Sequence, residues 1–112
     1  MPGTGPGGHE ITLAEAKELT RRFRDRHKAD KEKTRSHRIS REVIEKILAQ
    51  PGCAGLRVYH GHRKEKGERG GEETVVIVGV TDDGADMTAV IAEEAWGCPP
   101  YCAASGEIES DA

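Results

Sequence analysis

Apolar positions fall at helical spacing early in the chain and at alternating spacing later. Leu13, Ala16, Leu19, Thr20 and Phe23 form one stripe of a helix expected from Ile11 to about Lys28. Thr12 and Glu15 have capping-box spacing, in which hydroxyl and carboxylate each satisfy an amide that the first turn leaves open. Ile11, just before the cap, can staple onto Ala16. Ser40 caps a second predicted helix, with Val43, Ile44, Ile47 and Leu48 as its stripe and Ile39 stapling onto Ile44. Pro51-Gly52 ends it, because proline lacks the amide and glycine permits the turn. Between the helices, residues 29–38 carry no apolar position and read as a solvated loop or frayed helix extension.

From Leu56 to His62 the period becomes two. Leu56, Val58 and His60 share one face, with Arg57, Tyr59 and His62 near the other, the pattern of a strand with one wet side. Thr74 to Val80 is β-branched nearly throughout and is predicted to be the central strand. Thr81-Asp82-Asp83-Gly84 is a turn, Asp86 to about Ile91 a third strand and Ala92 to Trp96 a short helical turn. Helices followed by strands imply an α+β domain. The expected architecture is two N-terminal helices packed on one face of a small, mostly antiparallel three-stranded sheet. Residues 1–10 read as a flexible Gly/Pro-rich tail, 11–102 as the single domain and 103–112 as an acidic disordered tail.

Composition narrows the function classes. Of 112 residues, 35% are hydrophobic and 33% charged, which implies a small core for the length. The four aromatics argue against a base-stacking platform. No apolar run approaches the ~20 residues that cross a bilayer, so no membrane insertion is expected. No secretory signal is visible, which gives an expected cytoplasmic location. Charge is sharply divided. All 17 basic residues lie in 1–69 with 10 acidic ones, a net +7; residues 70–112 hold 10 acidic residues and no base, a net −10.

Four segments carry candidate chemistry. Cys98-Pro-Pro-Tyr-Cys102 reads first as a rigid proline turn with two free thiols under Trp96. It also has spacing compatible with a zinc knuckle, with Cys53 and His60 or His62 completing the ligands, or with a redox or disulfide pair. His60-Gly61-His62 puts two imidazoles on one strand face, where they could share an ion or act as a base. A strand end running into a charged loop explains them as well. Asp82, Asp83 and Asp86 lack calcium-loop spacing and read as turn chemistry. The bases from Arg21 to Arg38 are interleaved with Glu18, Asp25, Asp30 and Glu32. That favours a solvated face or an acidic protein partner over nucleic acid.

Three segments together, ITLAEAKELTRRFR, LRVYHGH with TVVIVGVTDDGADM, and CPPYC, resemble a group of small uncharacterised bacterial proteins. That group has a helical first half, a β second half and a Cys-Pro-Pro-x-Cys-like ending. The resemblance spans about residues 11–102 and implies only that Cys98, Pro99, Pro100 and Cys102 act as a unit; it implies no activity.

No catalytic constellation is present in the sequence, and the balance is against an enzyme. The leading expectation is a non-enzymatic interaction module that self-associates or docks onto a larger assembly. Its contact would set Arg21, Arg22, Arg24, Arg26 and Lys28 against Asp82, Asp83, Asp86, Glu93 and Glu94. The alternative is a small metal-binding or redox-active module on Cys98, Cys102, Cys53, His60 and His62. No cofactor is required by the first reading; zinc is the ion the second would take.

Overall fold

A computed structural model describes residues 7–31, 33–63, 73–93, 96–99 and 108, the side chain of Trp96 excepted. The elements run α1 (Leu13–Arg26), β1 (Ser36–Arg38), α2 (Arg41–Leu48), β2 (Gly55–His62), β3 (Glu73–Val80), β4 (Asp86–Glu93) and β5 (Trp96–Cys98). The class is α+β. Strands β2, β3 and β4 form an antiparallel sheet with β3 in the centre, and β1 pairs with β5 in a second, two-stranded sheet.

Both helix starts follow the cap chemistry. The Thr12 hydroxyl accepts from the Glu15 amide at 3.1 Å, and the Glu15 carboxylate accepts from the Thr12 amide at 3.3 Å. Ser40 Oγ accepts from the Val43 amide at 3.4 Å. Gly52, past the end of α2, has φ of 85°, where a side chain would be strained.

The core lies between α2 and the sheet. Ile47 is fully buried and clusters with Val75 and Ile77 of β3 and Ala92 of β4. Ile39, Val43, Ile44, Cys53 and Val90 pack around that cluster. Close approach is enforced at Gly79: a Cβ there would stand 2.9 Å from Cys53 Sγ and 3.3 Å from Ile47 Cγ2. On the opposite face Val78 is buried, with Arg57 beside it on β2 and Ile91 on β4.

Three sequence expectations need correction. First, the α1 stripe is not inward: the helix buries no residue, and Leu13, Leu19 and Phe23 are 50%, 55% and 38% exposed. Second, part of the supposed loop 29–38 is β1. It was hidden because its pairing uses backbone groups and needs no apolar side chain. Third, the described residues of the helical turn expected from Ala92 to Trp96 are strand: Ala92 and Glu93 extend β4, and Trp96 opens β5.

The strand β2 also differs in burial. Its register sets Leu56, Val58 and His60 opposite Gly79, Ile77 and Val75, on the α2 side of the sheet. Yet α2 has only 8 residues, and the core cluster includes no β2 side chain. Leu56 and Val58 therefore remain 39% and 55% exposed. Among the described residues, no helix is long and apolar enough to cross a membrane.

Candidate functional site

The expected contact between basic and acidic parts resolves into residues with different local fates. Arg21 and Arg22 both pair with Glu18, one turn back along α1, at 2.5 and 3.3 Å. Such exposed pairs within one helix contribute little to stability and can be exchanged for outside partners. Arg24 donates to the Ile108 carbonyl at 3.2 Å, and Thr20 Oγ1 donates to the same carbonyl at 3.1 Å. The helix thus meets the acidic C-terminal segment at one described point. Arg26 lies in its last turn, where a cation complements the helix dipole, and Lys28 follows.

The acidic residues of the sheet are largely engaged within the fold. Asp86 accepts from both the Arg57 guanidinium and the Tyr59 hydroxyl, across the face opposite α2. Those donors, Tyr59 foremost, hold the Asp86 carboxyl below its ordinary range. The same carboxylate raises Arg57 further. Asp83 accepts from Thr81 Oγ1 and is likewise lowered, chiefly by that hydrogen bond. With Thr81 N donating to Ala85 O at 3.0 Å and Gly84 at φ 89°, residues 81–85 form a closed turn. Glu93 accepts from Arg63 Nε at 3.1 Å and Thr74 Oγ1 at 2.9 Å. Asp82 sits in the turn; Glu94 lies outside the described residues.

The proposed thiol and imidazole ligands are not brought to one point. Cys53 precedes β2 and donates to the Gly55 carbonyl at 3.3 Å. His60 and His62 stand at the other end of the strand, and five residues from Gly55 to His60 already span about 16 Å. Ligands of one ion lie only a few ångströms apart, so Cys53 and these histidines do not share one. Among the described residues, no group of three or more His, Cys, Asp or Glu is placed to hold a metal.

Cys98 is fully buried and disulfide-bonded, whereas Cys53 is a free thiol. The expectation of two free thiols is therefore corrected at Cys98; Cys102 lies outside the described residues. Backbone pairing fixes this segment: the Arg35 amide donates to Cys98 O at 2.6 Å, and Ser36 pairs with Cys98 in register. The Arg35 guanidinium approaches Cys98 Sγ at 3.7 Å.

Sequence reasoning missed a second group of residues. Glu73, at the start of β3, accepts from Lys33 Nζ and from the Thr34 amide at 3.3 Å. Lys33, ahead of the others as a cause, keeps Glu73 below the ordinary carboxylate range. This pair ties the segment before β1 to the sheet across 40 positions of sequence. A charged loop followed by a glycine-rich connector gave no periodic signal for it.

No family model matches this chain, and comparisons with curated proteins and with solved structures found no match.

Proposed function

We propose that the protein is a non-enzymatic interaction module that self-associates through α1. The carrying observation is the stripe of a well-capped helix, with Leu13, Leu19 and Phe23 about half-exposed around the half-buried Ala16 and Thr20. A contiguous uncovered apolar surface with charged borders is the usual mark of a protein contact. The matching surface is the part of the sheet that α2 leaves open, where Leu56 and Val58 are exposed. In this reading α1 of one copy lies across β2 of the next. The two-helix layer that the sequence implies is then completed between copies.

Charge supports the same occupant. The outer side of α1 carries Arg21, Arg22 and Arg26, and the region after residue 69 carries all the excess acid. Asp83, Asp86 and Glu93 have partners within the fold and would have to exchange them to meet a neighbour. Covering the remaining half of each exposed side chain contributes roughly 1 kcal/mol apiece. The apolar contact alone is therefore weak against the cost of association, and charge decides how readily it forms. Such a heterologous contact closes into rings or continues as filaments.

Sedimentation velocity at rising protein concentration tests this reading. Assembly that weakens with added salt and disappears in Leu19→Glu supports it. A monomer at every concentration and salt overturns it. If removing residues 103–112 exposes assembly that the intact chain lacks, the chain's own C-terminal segment occupies α1 and a second copy does not.

A second reading, a redox-responsive module, is favoured by the disulfide at Cys98 beside the Arg35 guanidinium. A neighbouring cation stabilises a thiolate and so eases exchange. Thiol counting before and after mild reductant checks it. Three reactive thiols in unreduced protein, or two sulfurs that resist reduction in the folded state, would exclude it.

A further inference from the structure

Strands β2 and β4 are the outer strands of the main sheet, and their free edges differ. On β4, the adjacent β3 residues Val78 and Gly79 pair with Ile91 and Met87, so Thr88, Ala89 and Val90 bulge out of the ladder. A bulge bends an edge and spoils it as a template for further pairing. On β2, all 8 residues pair with β3 in unbroken register. An outer strand turns alternate N–H and C=O groups away from its neighbour. Among the described residues, no backbone bond outside this ladder reaches residues 56–61. The edge also lacks the usual protection: β2 holds no proline or lysine, and Arg57 is bonded to Asp86 and the Gly84 carbonyl. Val58, Tyr59 and His60 are all exposed although they alternate between faces, so neither side is covered there.

The strand suits a second copy of itself. Opposite residues of an antiparallel pair point to the same face, so a two-fold axis through the joined sheet passes beside a residue that faces its own copy. With Arg57 at the axis, like charges meet; with His60 there, Arg57 meets Arg63. With Tyr59 at the axis, Arg57 faces Gly61 and gains no contact. With Val58 there, two exposed apolar side chains meet, Leu56 faces His60, and Arg57 faces Tyr59, whose ring suits a guanidinium. This register pairs residues 55–61 and opposes no like charges. It also involves α1. Phe23 and His60 line one cleft, so Leu56 of one copy comes beside the α1 end of the other.

We infer that β2 pairs antiparallel with β2 of a second copy about a two-fold axis at Val58, joining two three-stranded sheets edge to edge. The inference rests on self-association through α1 and supplies its geometry. Each α1 reaches the Leu56 side of the other copy, and the assembly closes at a dimer.

Disulfide trapping in the full chain tests it. Opposite Cα atoms stand about 4.5–5.5 Å apart, within disulfide reach. Leu56 and its copy lie about four positions, or ~13 Å, apart along the seam. Val58→Cys should therefore oxidise to a covalent dimer, whereas Leu56→Cys should stay at the wild-type level set by Cys53. Both positions are exposed, so both variants should keep the wild-type circular dichroism and unfolding midpoint. Hydrogen exchange gives a second readout. Alternate amides in residues 56–61 should slow about tenfold or more between dilute and concentrated wild-type protein. Equal linking of the two variants, or no linking of Val58→Cys in protein that still assembles, overturns the edge contact alone. Amides equally slow at every concentration would place a segment of the same chain on the edge, which also overturns it. A wild-type chain that stays monomeric throughout removes the underlying reading as well.

Discussion

Helices α1 and α2 begin in the same way and end in different surroundings. Each has a side-chain cap and an apolar stripe, and each carries acid in its first turn and base in its last. The shorter one, with 8 residues, buries Ile47 completely; the longer one, with 14, buries nothing. Capping and periodicity therefore govern whether a helix forms and which side is apolar. They do not say whether the covering surface belongs to the same molecule. In α2 the cover is β3 and β4; in α1 it is proposed to be another copy.

Substitutions along the two stripes should separate these cases, and the largest effect belongs to α2. Ile47→Ala removes a fully buried side chain and should cost about 2–5 kcal/mol of stability in urea unfolding. A loss under ~1 kcal/mol would mean that α2 is not the helix holding the core. Gly79→Ala adds a methyl where Cys53, Gln50 and Ile47 stand 2.9, 3.1 and 3.3 Å away. Overpacking of that kind costs roughly 1–3 kcal/mol, and Gly79→Ala combined with Cys53→Ser should not recover all of it, because Ile47 still crowds the site. Leu19→Ala is the counterpart in α1. In dilute, dissociated protein it should change stability by less than ~0.5 kcal/mol, while reducing assembly at high concentration. A cost near that of Ile47→Ala would place α1 inside the monomer's own core.

A smaller effect concerns the tie between the two halves. Glu73 titrates lower in the folded state than in an unfolded chain, because Lys33 and the Thr34 amide favour the carboxylate. Its contribution is present above about pH 4.3, the ordinary glutamate value, and is lost as pH falls through the lower folded value. Acid unfolding of wild type should therefore steepen below that point. In Glu73→Gln the acid limb should be shallower, and stability at neutral pH slightly lower. Identical acid limbs would show that the Lys33 contact does not persist in solution.

What was legible in the chain follows from the range of each interaction. Thr12 with Glu15 and Ser40 with Val43 are contacts over three residues, so their spacing is visible directly. The β-branched run 74–80 identified the central strand, the one paired along both edges, because such residues suit a strand buried among neighbours. By contrast, β1 has the sequence Ser-His-Arg, and its partner Trp-Gly-Cys follows a stretch that reads as helical. Their pairing joins positions about 60 apart by backbone bonds that leave no pattern in side chains. The histidines were visible as an unusual pair in β2. Their setting was not: a cleft beside them is also lined by Lys33, Arg35 and His37, from the segment that the β1–β5 pairing and the Lys33–Glu73 bridge hold in place. Of the residues expected to make the contact, Arg21, Arg22 and Arg26 are exposed on α1, whereas Asp83, Asp86 and Glu93 are bonded within the fold.

The most direct test of the central claim is sedimentation velocity of the intact protein across a concentration series, at low and at high salt. The account predicts a monomer when dilute, larger species as concentration rises, and a shift back towards monomer as salt screens the charges. A single monomeric species throughout, with α1 still helical by circular dichroism, would contradict it.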